Sequence, residues 1–399
     1  MSNFSSTPRK PGEPPHVALV VQTSMAYGRR ILEGVARYAR ENGPWSFYLE
    51  PRSRQDPFPA WLDSWDGDGV IAAVSRPQGA PPLRVPTVDL DDQGGRPDVQ
   101  SDHQAIGALA ADHLLERGFK KFAFFGYPGF RWSRANFEGF AARVRREGFD
   151  CHHYSGGQTA SWGHQIPAWE EEMETVARWV AALPKPLGMM ACNDFRGVQA
   201  LEACRRAGVS VPEEVAVVGA DDDPIACEMA HPALSSVVPD CPAIGFEAAA
   251  RLDRMMRGER VPRRPAVVPP LGVAVRHSSE FTAIEEPCLA EALRYIRANA
   301  CQGIRVDDVL ESVTVSRSKL QRLFRAELGR TIHEVIARER IRRIERLLIE
   351  TELAYEEIAR RSGFAYLGYM STAFRRATGS TPAAYRRQHS RARPPGPTL

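Results

Sequence analysis

The sequence predicts two architectures in one chain: a two-lobed α/β module with parallel sheets, followed by an all-α domain built from two helix-turn-helix units in tandem. Three observations lead there. The chain has 399 residues, more than the roughly 250–300 at which a single core stops growing. Up to about residue 275, short apolar runs alternate with amphipathic helical stretches, as parallel strands covered by helices do. From residue 288 strand signals cease and the charge reverses. Residues 288–399 hold 21 Lys and Arg against 12 Asp and Glu, a net +9, whereas 31 and 37 in residues 1–287 give −6.

The polar, Pro-rich stretch 1–15 is expected to be a disordered tail. A strand over Val17–Val21 precedes a helix with apolar residues at Ile31, Val35 and Tyr38. A strand over Gly69–Ala72 comes next, then a helix marked by Ile106, Leu109 and Leu114 that ends at Gly118. The alternation continues through Phe122–Phe125, a helix with Phe137, Phe140 and Val144, then Gly188–Ala191, a helix through Leu201, and Val215–Val218. This pattern over residues 16–276 is too long for one five- or six-stranded sheet, so two lobes with a cleft between them are expected. Open α/β sheets bind ligands beyond the carboxyl ends of their strands, which points at the loops after Val21, Phe125, Ala191 and Val218. Residues 277–287 lack periodicity and are expected to be a linker.

Residues 288–390 read as wholly helical. Leu289, Leu293 and Ile296 mark a first helix and Asp307–Val313 a second. Thr314 and Val315 turn into Ser316, which can cap a third helix carrying Leu320, Leu323 and Phe324 up to Gly329. Thr331 and Glu334 have capping-box spacing at the head of a long helix through Ile344 and Leu348. The pattern then repeats: a short helix with Ile358 and Ala359, a turn at Ser362-Gly363, a helix through Met370 and Phe374 to Gly379, and a last helix opened by Thr381-Pro382. Residues 391–399 are expected to be a second disordered tail.

A helix-turn-helix unit lays its second helix in the major groove of DNA, apolar face inward. Leu320, Leu323 and Phe324 take that inward face, leaving Arg317, Ser318, Gln321, Arg322 and Arg325 to face double-stranded promoter DNA. Gln suits adenine edges and Arg suits guanine edges. Residues 316–325, Ser-Arg-Ser-Lys-Leu-Gln-Arg-Leu-Phe-Arg, resemble the first recognition helix of the AraC/XylS regulator family. Ile358-Ala359-Arg360-Arg361-Ser362-Gly363-Phe364, Phe374-Arg375-Arg376 and Gly379-Ser380-Thr381-Pro382 resemble its second half. In that half Leu367 and Gly368 stand where polar residues often read bases, so readout is expected to fall on Tyr366, Ser371, Thr372 and Arg375.

The first part resembles the sugar-binding core shared by LacI/GalR repressors and periplasmic sugar-binding proteins. Stretches such as Glu33-Gly34-Val35, Gly67-Asp68-Gly69-Val70-Ile71-Ala72 and Ala233-Leu234-Ser235-Ser236-Val237 resemble the xylose operon regulators, which join a periplasmic-binding-protein-like sensor to an AraC-type domain. A sugar presents C–H faces to aromatic rings and hydroxyls to carboxylates, guanidinium groups and amides. Tyr27, Arg29, Trp132, Arg134, Asn136, Asn193, Asp194 and Asp221 are residues of those types on or near the strand-end loops. The resemblance places Asp194 and Asp221 on ligand hydroxyls. Asn136 stands where relatives usually carry Arg, so either Arg134 substitutes or the ligand differs. Xylose is the implied effector; another sugar or a sugar phosphate is the alternative.

Seven scattered cysteines without CxxC spacing imply reduced thiols rather than zinc or disulfides. The run Asp221-Asp222-Asp223 is not expected to hold a metal, because neighbouring carboxylates cannot easily converge on one ion. No GxxxxGK[ST], GxSxG or HExxH motif occurs, so neither enzyme activity nor a cofactor is expected. The N-terminus lacks the apolar core of a secretory signal and no stretch of 18 apolar residues occurs, so a cytoplasmic protein without membrane association is expected. A carbohydrate-binding transport protein is the rival from another class, and the helical C-terminal region speaks against it. A homodimer is expected, since it doubles the contacts to DNA.

Overall fold

The structure is a computed structural model that describes residues 13–53, 56–74, 82–91, 97–154, 166–262, 264–280, 286–351 and 353–389. Of the expected tails, 1–15 and 391–399, only residues 13–15 are among the described residues, and there the Pro15 carbonyl accepts from Ser46 N at 2.7 Å. The chain forms two compact units, Met1–Ala283 and Ile284–Leu399. Among the described residues no helix is long and apolar enough to cross a membrane.

The first unit begins with β1 (His16–Val20), α1 (Ala26–Asn42), β2 (Ser46–Leu49), β3 (Gly69–Ala72), β4 (Thr87–Asp89) and β5 (Val99–Ser101). The order β2-β1-β3-β4, parallel throughout, makes the sheet of one lobe. The chain then builds the other lobe from α2 (His103–Leu115), β6 (Phe122–Phe125), α3 (Arg131–Arg146), β7 (Cys151–His153), α4 (Ile166–Ala182), β8 (Leu187–Ala191), α5 (Asp194–Arg206), β9 (Val215–Ala220), α6 (Pro224–Met229) and β10 (Ser235–Val238). It returns to the first lobe for α7 (Cys241–Met256) and β11 (Ala266–Val268), which pairs with β5, and crosses back for β12 (Gly272–Ala274). The second sheet has the order β12-β10-β9-β8-β6-β7, with β12 antiparallel at its edge. The backbone therefore passes between lobes three times: after β5, after β10 and after β11.

The central strands are apolar runs buried along their length, as in β6, β8 and β9, because helices cover both faces of each sheet. β2 is an edge strand with every residue exposed, and β4, β5, β7, β11 and β12 have three residues each. None of these carries a run or an alternation long enough to announce a strand.

Each lobe packs one helix pair through glycine. On the α1–α7 crossing, a Cβ at Gly34 would fall on the Pro242 carbonyl oxygen and one at Gly245 on that of Ile31. On the α2–α3 crossing, a Cβ at Gly107 would meet the Asn136 carbonyl oxygen and one at Gly139 that of Gln104. Backbone rather than side chain sits at these contacts, so nothing can rotate aside.

The linker expected from His277 starts later. Ser278 and Ser279 are fully buried: the Ser278 hydroxyl donates to the Val217 carbonyl (2.6 Å) and accepts from Ser235 N (2.8 Å). Ser279 Oγ lies 2.7 Å from His113 Nε2, and its carbonyl accepts from Arg117 Nε at 2.7 Å. Short polar side chains that read as loop are here the polar floor of β9. At the other end Pro287 already opens a helix.

The second unit comprises α8 (Pro287–Asn299), α9 (Val306–Glu311), α10 (Arg317–Leu328), α11 (Ile332–Glu350), α12 (Tyr355–Arg361), α13 (Leu367–Thr378) and α14 (Pro382–His389). One core gathers Leu289, Leu293, Ile296, Leu320, Phe324 and Ile336; another gathers Ile344, Leu348, Ile358, Met370 and Phe374. α11 supplies both. It starts with a complete Thr331–Glu334 capping box, and Arg340 donates from it to the Ala300 and Ile304 carbonyls at 2.8 and 2.9 Å. Gly329 and Gly379 end α10 and α13 in the left-handed conformation, as their positions in the sequence imply.

Two stability measurements follow. Gly139→Ala is expected to cost the first unit about 1–3 kcal/mol, seen as a lower thermal midpoint; an unchanged midpoint would show that the helices part freely. Burial lowers the His113 pKa from 6.5 to about 3. As pH falls below 6.5 the unfolded chain takes up a proton that the folded chain refuses until near pH 3, so stability drops, by roughly 2 kcal/mol at pH 5. His113→Gln lacks this loss, and its midpoint should fall less than that of the parent between pH 7 and pH 5. Buried Asp194, whose pKa is raised by burial, acts with the opposite sign in both proteins, so the difference between them reports His113.

Candidate ligand cleft and nucleic-acid interface

Between the lobes of the first unit lies a cavity of about 280 Å³. Three of the four strand ends singled out in the sequence contribute to it directly. Gln22 and Met25 follow β1, Cys192 and Asn193 follow β8, and Ala220 ends β9 with Asp221 after it. The loop after β6 contributes no lining residue itself, but α3, which follows it, brings Trp132 and Asn136. Tyr27 comes from α1 and His103 from the head of α2, while Ser53, Asp56, Phe58, Leu90 and Asp91 complete the wall.

The polar groups are held in place by neighbours. Tyr27 Oη lies 3.0 Å from Ser101 Oγ. Asn136 is buried; its Nδ2 donates to the Cys192 carbonyl at 3.0 Å, and its Oδ1 stands 3.3 Å from His103 Nδ1. The close α2–α3 crossing at Gly107 fixes the Asn136 backbone beneath it. Asn193 caps α5, its Oδ1 accepting from Arg196 N at 3.0 Å. Trp132 packs in an aromatic group with Tyr127 and Phe130.

Asp221 and Asp222 adopt φ of 106° and 50°, left-handed values that side chains other than glycine rarely take. The same loop meets the opposite lobe. Arg30 Nη1 donates to the Asp221 carbonyl at 3.3 Å and stands 3.9 Å from the Asp222 carboxylate, while Asp223 Oδ2 accepts from Ala26 N at 3.3 Å. The three aspartates face different partners: Asp221 the cavity, Asp222 the Arg276 guanidinium (2.8 Å), and Asp223 the first turn of α6. Among the described residues no group of three His, Cys, Asp or Glu is arranged to hold a metal ion.

Five of the eight expected ligand residues, Tyr27, Trp132, Asn136, Asn193 and Asp221, are thus brought to one cavity, and three are not. Arg29 donates to the Thr23 carbonyl at 2.7 Å on the outside of α1. Arg134 is 72% exposed and faces Glu138 one turn on (3.8 Å), because two residues along a helix from Asn136 point to a different face. It does not line the cavity that Asn136 lines. Asp194 is completely buried behind the wall, accepting from Ser236 Oγ at 2.5 Å and Asp223 N at 2.7 Å. Sequence reading missed Gln22, Met25, Asp56, Phe58, Asp91 and His103. Gln22 and Met25 lie in a loop it had singled out; Asp91 follows a strand too short to notice.

In the second unit α9 and α10 form one helix-turn-helix, α12 and α13 the other. Ser316 caps α10, accepting from Lys319 N, and Arg317, Ser318, Gln321, Arg322 and Arg325 all stand exposed while Leu320 and Phe324 are buried. Arg317 also pairs with Asp307 of α9. Tyr366, the N-cap of α13, is exposed, as are Thr372 and Arg375 on the helix, and Ser371 is half-buried; Thr372 Oγ1 donates to the Gly368 carbonyl at 2.9 Å. Exposed Tyr369 is a further outward residue that the sequence reading left out.

Comparison with known proteins agrees with both halves. Residues 111–279 match the model of a periplasmic binding protein-like domain and residues 310–388 that of a helix-turn-helix domain. The xylose operon regulatory protein of Escherichia coli (strain K12) is 32% identical over 386 residues, covering 93% of this chain and 96% of that protein. Its counterpart from Haemophilus influenzae is 29% identical over 387 residues, 93% and 97% of the two chains. A solved structure described as the xylose-binding transcription activator xylR superimposes with a TM-score of 0.80 at 31% identity, over 95% of this chain and 99% of that one. These relatives are regulators of transcription and not enzymes. With a sugar-binding-type α/β unit joined in the same order to tandem DNA-binding helices, and with that identity across nearly its whole length, the chain belongs to the family of xylose operon regulatory proteins.

Proposed function

We propose that this regulator binds D-xylose in the cleft of its first unit, acts in the cytoplasm as a homodimer, and adjusts its hold on promoter DNA when the sugar closes the lobes. The observation that carries this reading is the cavity itself, in a chain whose full-length relatives are xylose operon regulators. At about 280 Å³ it falls just below the roughly 300–1,000 Å³ of sites for drug-sized ligands, which suits a single sugar ring. Trp132 and Tyr27 offer ring faces to C–H groups, Asn136 and Asn193 offer amides, and Asp56, Asp91 and Asp221 offer carboxylates to hydroxyl donors. Three carboxylates repel a phosphate group, which favours a free sugar over a sugar phosphate.

Asp221 joins ligand and closure in this reading, since its carbonyl is also where Arg30 reaches across from α1. A coupling of roughly 1–3 kcal/mol between cleft and DNA unit changes DNA affinity about 5- to 150-fold. On the DNA side, Arg317, Ser318, Gln321, Arg322 and Arg325 form one face and Tyr366, Ser371, Thr372 and Arg375 the other, with sequence discrimination weighted toward α10.

Three outcomes are expected. D-xylose at a hundred times its Kd raises the stability of the folded protein by about 2.7 kcal/mol in a thermal-shift titration; a panel of pentoses, hexoses and their phosphates without effect would remove the sensing role. Asp221→Asn weakens xylose binding by about 10- to 100-fold in calorimetry, the worth of a hydrogen bond to a charged group. Arg322→Ala loses more discrimination between promoter and scrambled DNA than Thr372→Ala in mobility-shift competition, because the Thr372 hydroxyl proton is already committed to Gly368. The reverse ranking would move the base reading to α13.

A further inference from the structure

α13 carries two features that the fold does not use. Tyr366 and Tyr369 sit at its N-terminal end, each 69% exposed, with ring centroids 6.0 Å apart. The other aromatic rings of this half are engaged: Phe374 is fully buried, Tyr385 packs on it, and Tyr355 lies beneath the Arg386 guanidinium. Between the two exposed tyrosines stands Gly368. A Cβ added there would meet nothing within 4 Å, and its backbone is not left-handed. Neither packing nor a turn within this chain therefore requires glycine, although glycine is among the poorest helix formers.

Both features fit a surface that another molecule approaches closely. In a helix-turn-helix the N-terminal residues of the second helix meet the base edges. The apolar mark on those edges is the C5 methyl of thymine. Hydrogen-bonding readout is correspondingly thin here, with Leu367 beside Gly368 and the Thr372 hydroxyl donating to its own helix. α10, with Gln321, Arg322 and Arg325 exposed, has the opposite character.

We propose that the two units read DNA by different chemistry: α10 by hydrogen bonds to purine edges, and α13 by apolar contact of Tyr366 and Tyr369 with thymine methyl groups, Gly368 allowing the helix backbone to lie close against the bases. This rests on the DNA-binding reading above and adds a base preference to it. The second half-site should contain thymines whose methyl groups, not their hydrogen-bonding edges, are recognised.

The test begins with selection of binding sequences from a random duplex pool by the full-length protein. Each thymine of the selected site is then replaced in turn by deoxyuridine, which removes only the methyl. The expected result is one or more positions in the half-site footprinted by α13 where this replacement weakens binding about fourfold per methyl. Tyr369→Ala and Tyr366→Ala should weaken binding to the thymine site and abolish the thymine–deoxyuridine difference, whereas Tyr369→Phe keeps it. Gly368→Ala should retain or raise the thermal midpoint while losing affinity, an outcome that a purely structural glycine would not give. Deoxyuridine tolerated at every position of that half-site, or an undiminished methyl effect in both alanine variants, overturns the proposal while leaving the DNA-binding reading intact. A pool in which no sequence is enriched overturns both.

Discussion

The cleft depends on one buried carboxylate. Asp194 sits at the start of α5, wholly removed from solvent, and spends its acceptor capacity on Ser236 of β10 and on the backbone N–H of Asp223. An isolated charge in that position would be very costly, and burial raises its pKa; the hydrogen bonds that face it work against that shift. Gly219 leaves the room it needs, since a Cβ there would fall on Asp194 Oδ1. Through the Asp223 bond this carboxylate holds the loop after β9 in its left-handed course, and that course turns Asp221 into the cavity. The contacts to Arg30 and Ala26 across the cleft are made from the same loop. Removing Asp194 therefore disturbs wall, cross-cleft contact and the α6 cap together, though its carboxylate lies behind the cavity wall.

This also explains where the sequence was legible. The helical unit could be read almost residue by residue because its signals are local: Ser316, the Thr331–Glu334 box, and glycines at 329 and 379 act within one turn of the helix they start or stop. The central strands of the α/β unit were legible for a related reason, as burial on both faces writes itself as an unbroken apolar run. The edge strands were not. β2 is exposed, and its Tyr48 is occupied with Trp61 and Trp65 rather than with a repeating pattern.

The site was legible in its loops but not in its side-chain directions. Asp194 has the right chemistry for a sugar and lies one residue after a cavity residue, yet partners 29 and 42 positions away draw it inward. Arg134 and Asn136 share a helix turn and face opposite environments. Such distinctions depend on where distant segments arrive, which spacing along the chain does not encode. His103 and Asp91 were invisible for the same reason, being brought to the wall by the return of the chain.

The three passages of the backbone between the lobes constrain what the sensor can report. Two bodies tied by three covalent threads have less relative freedom than two tied by one. Under the function proposed above, such a tether reports a magnitude and not a description of its occupant. Two sugars that close the lobes alike would then be synonyms to the DNA unit, so discrimination between them must be finished inside the cavity, before any signal leaves it.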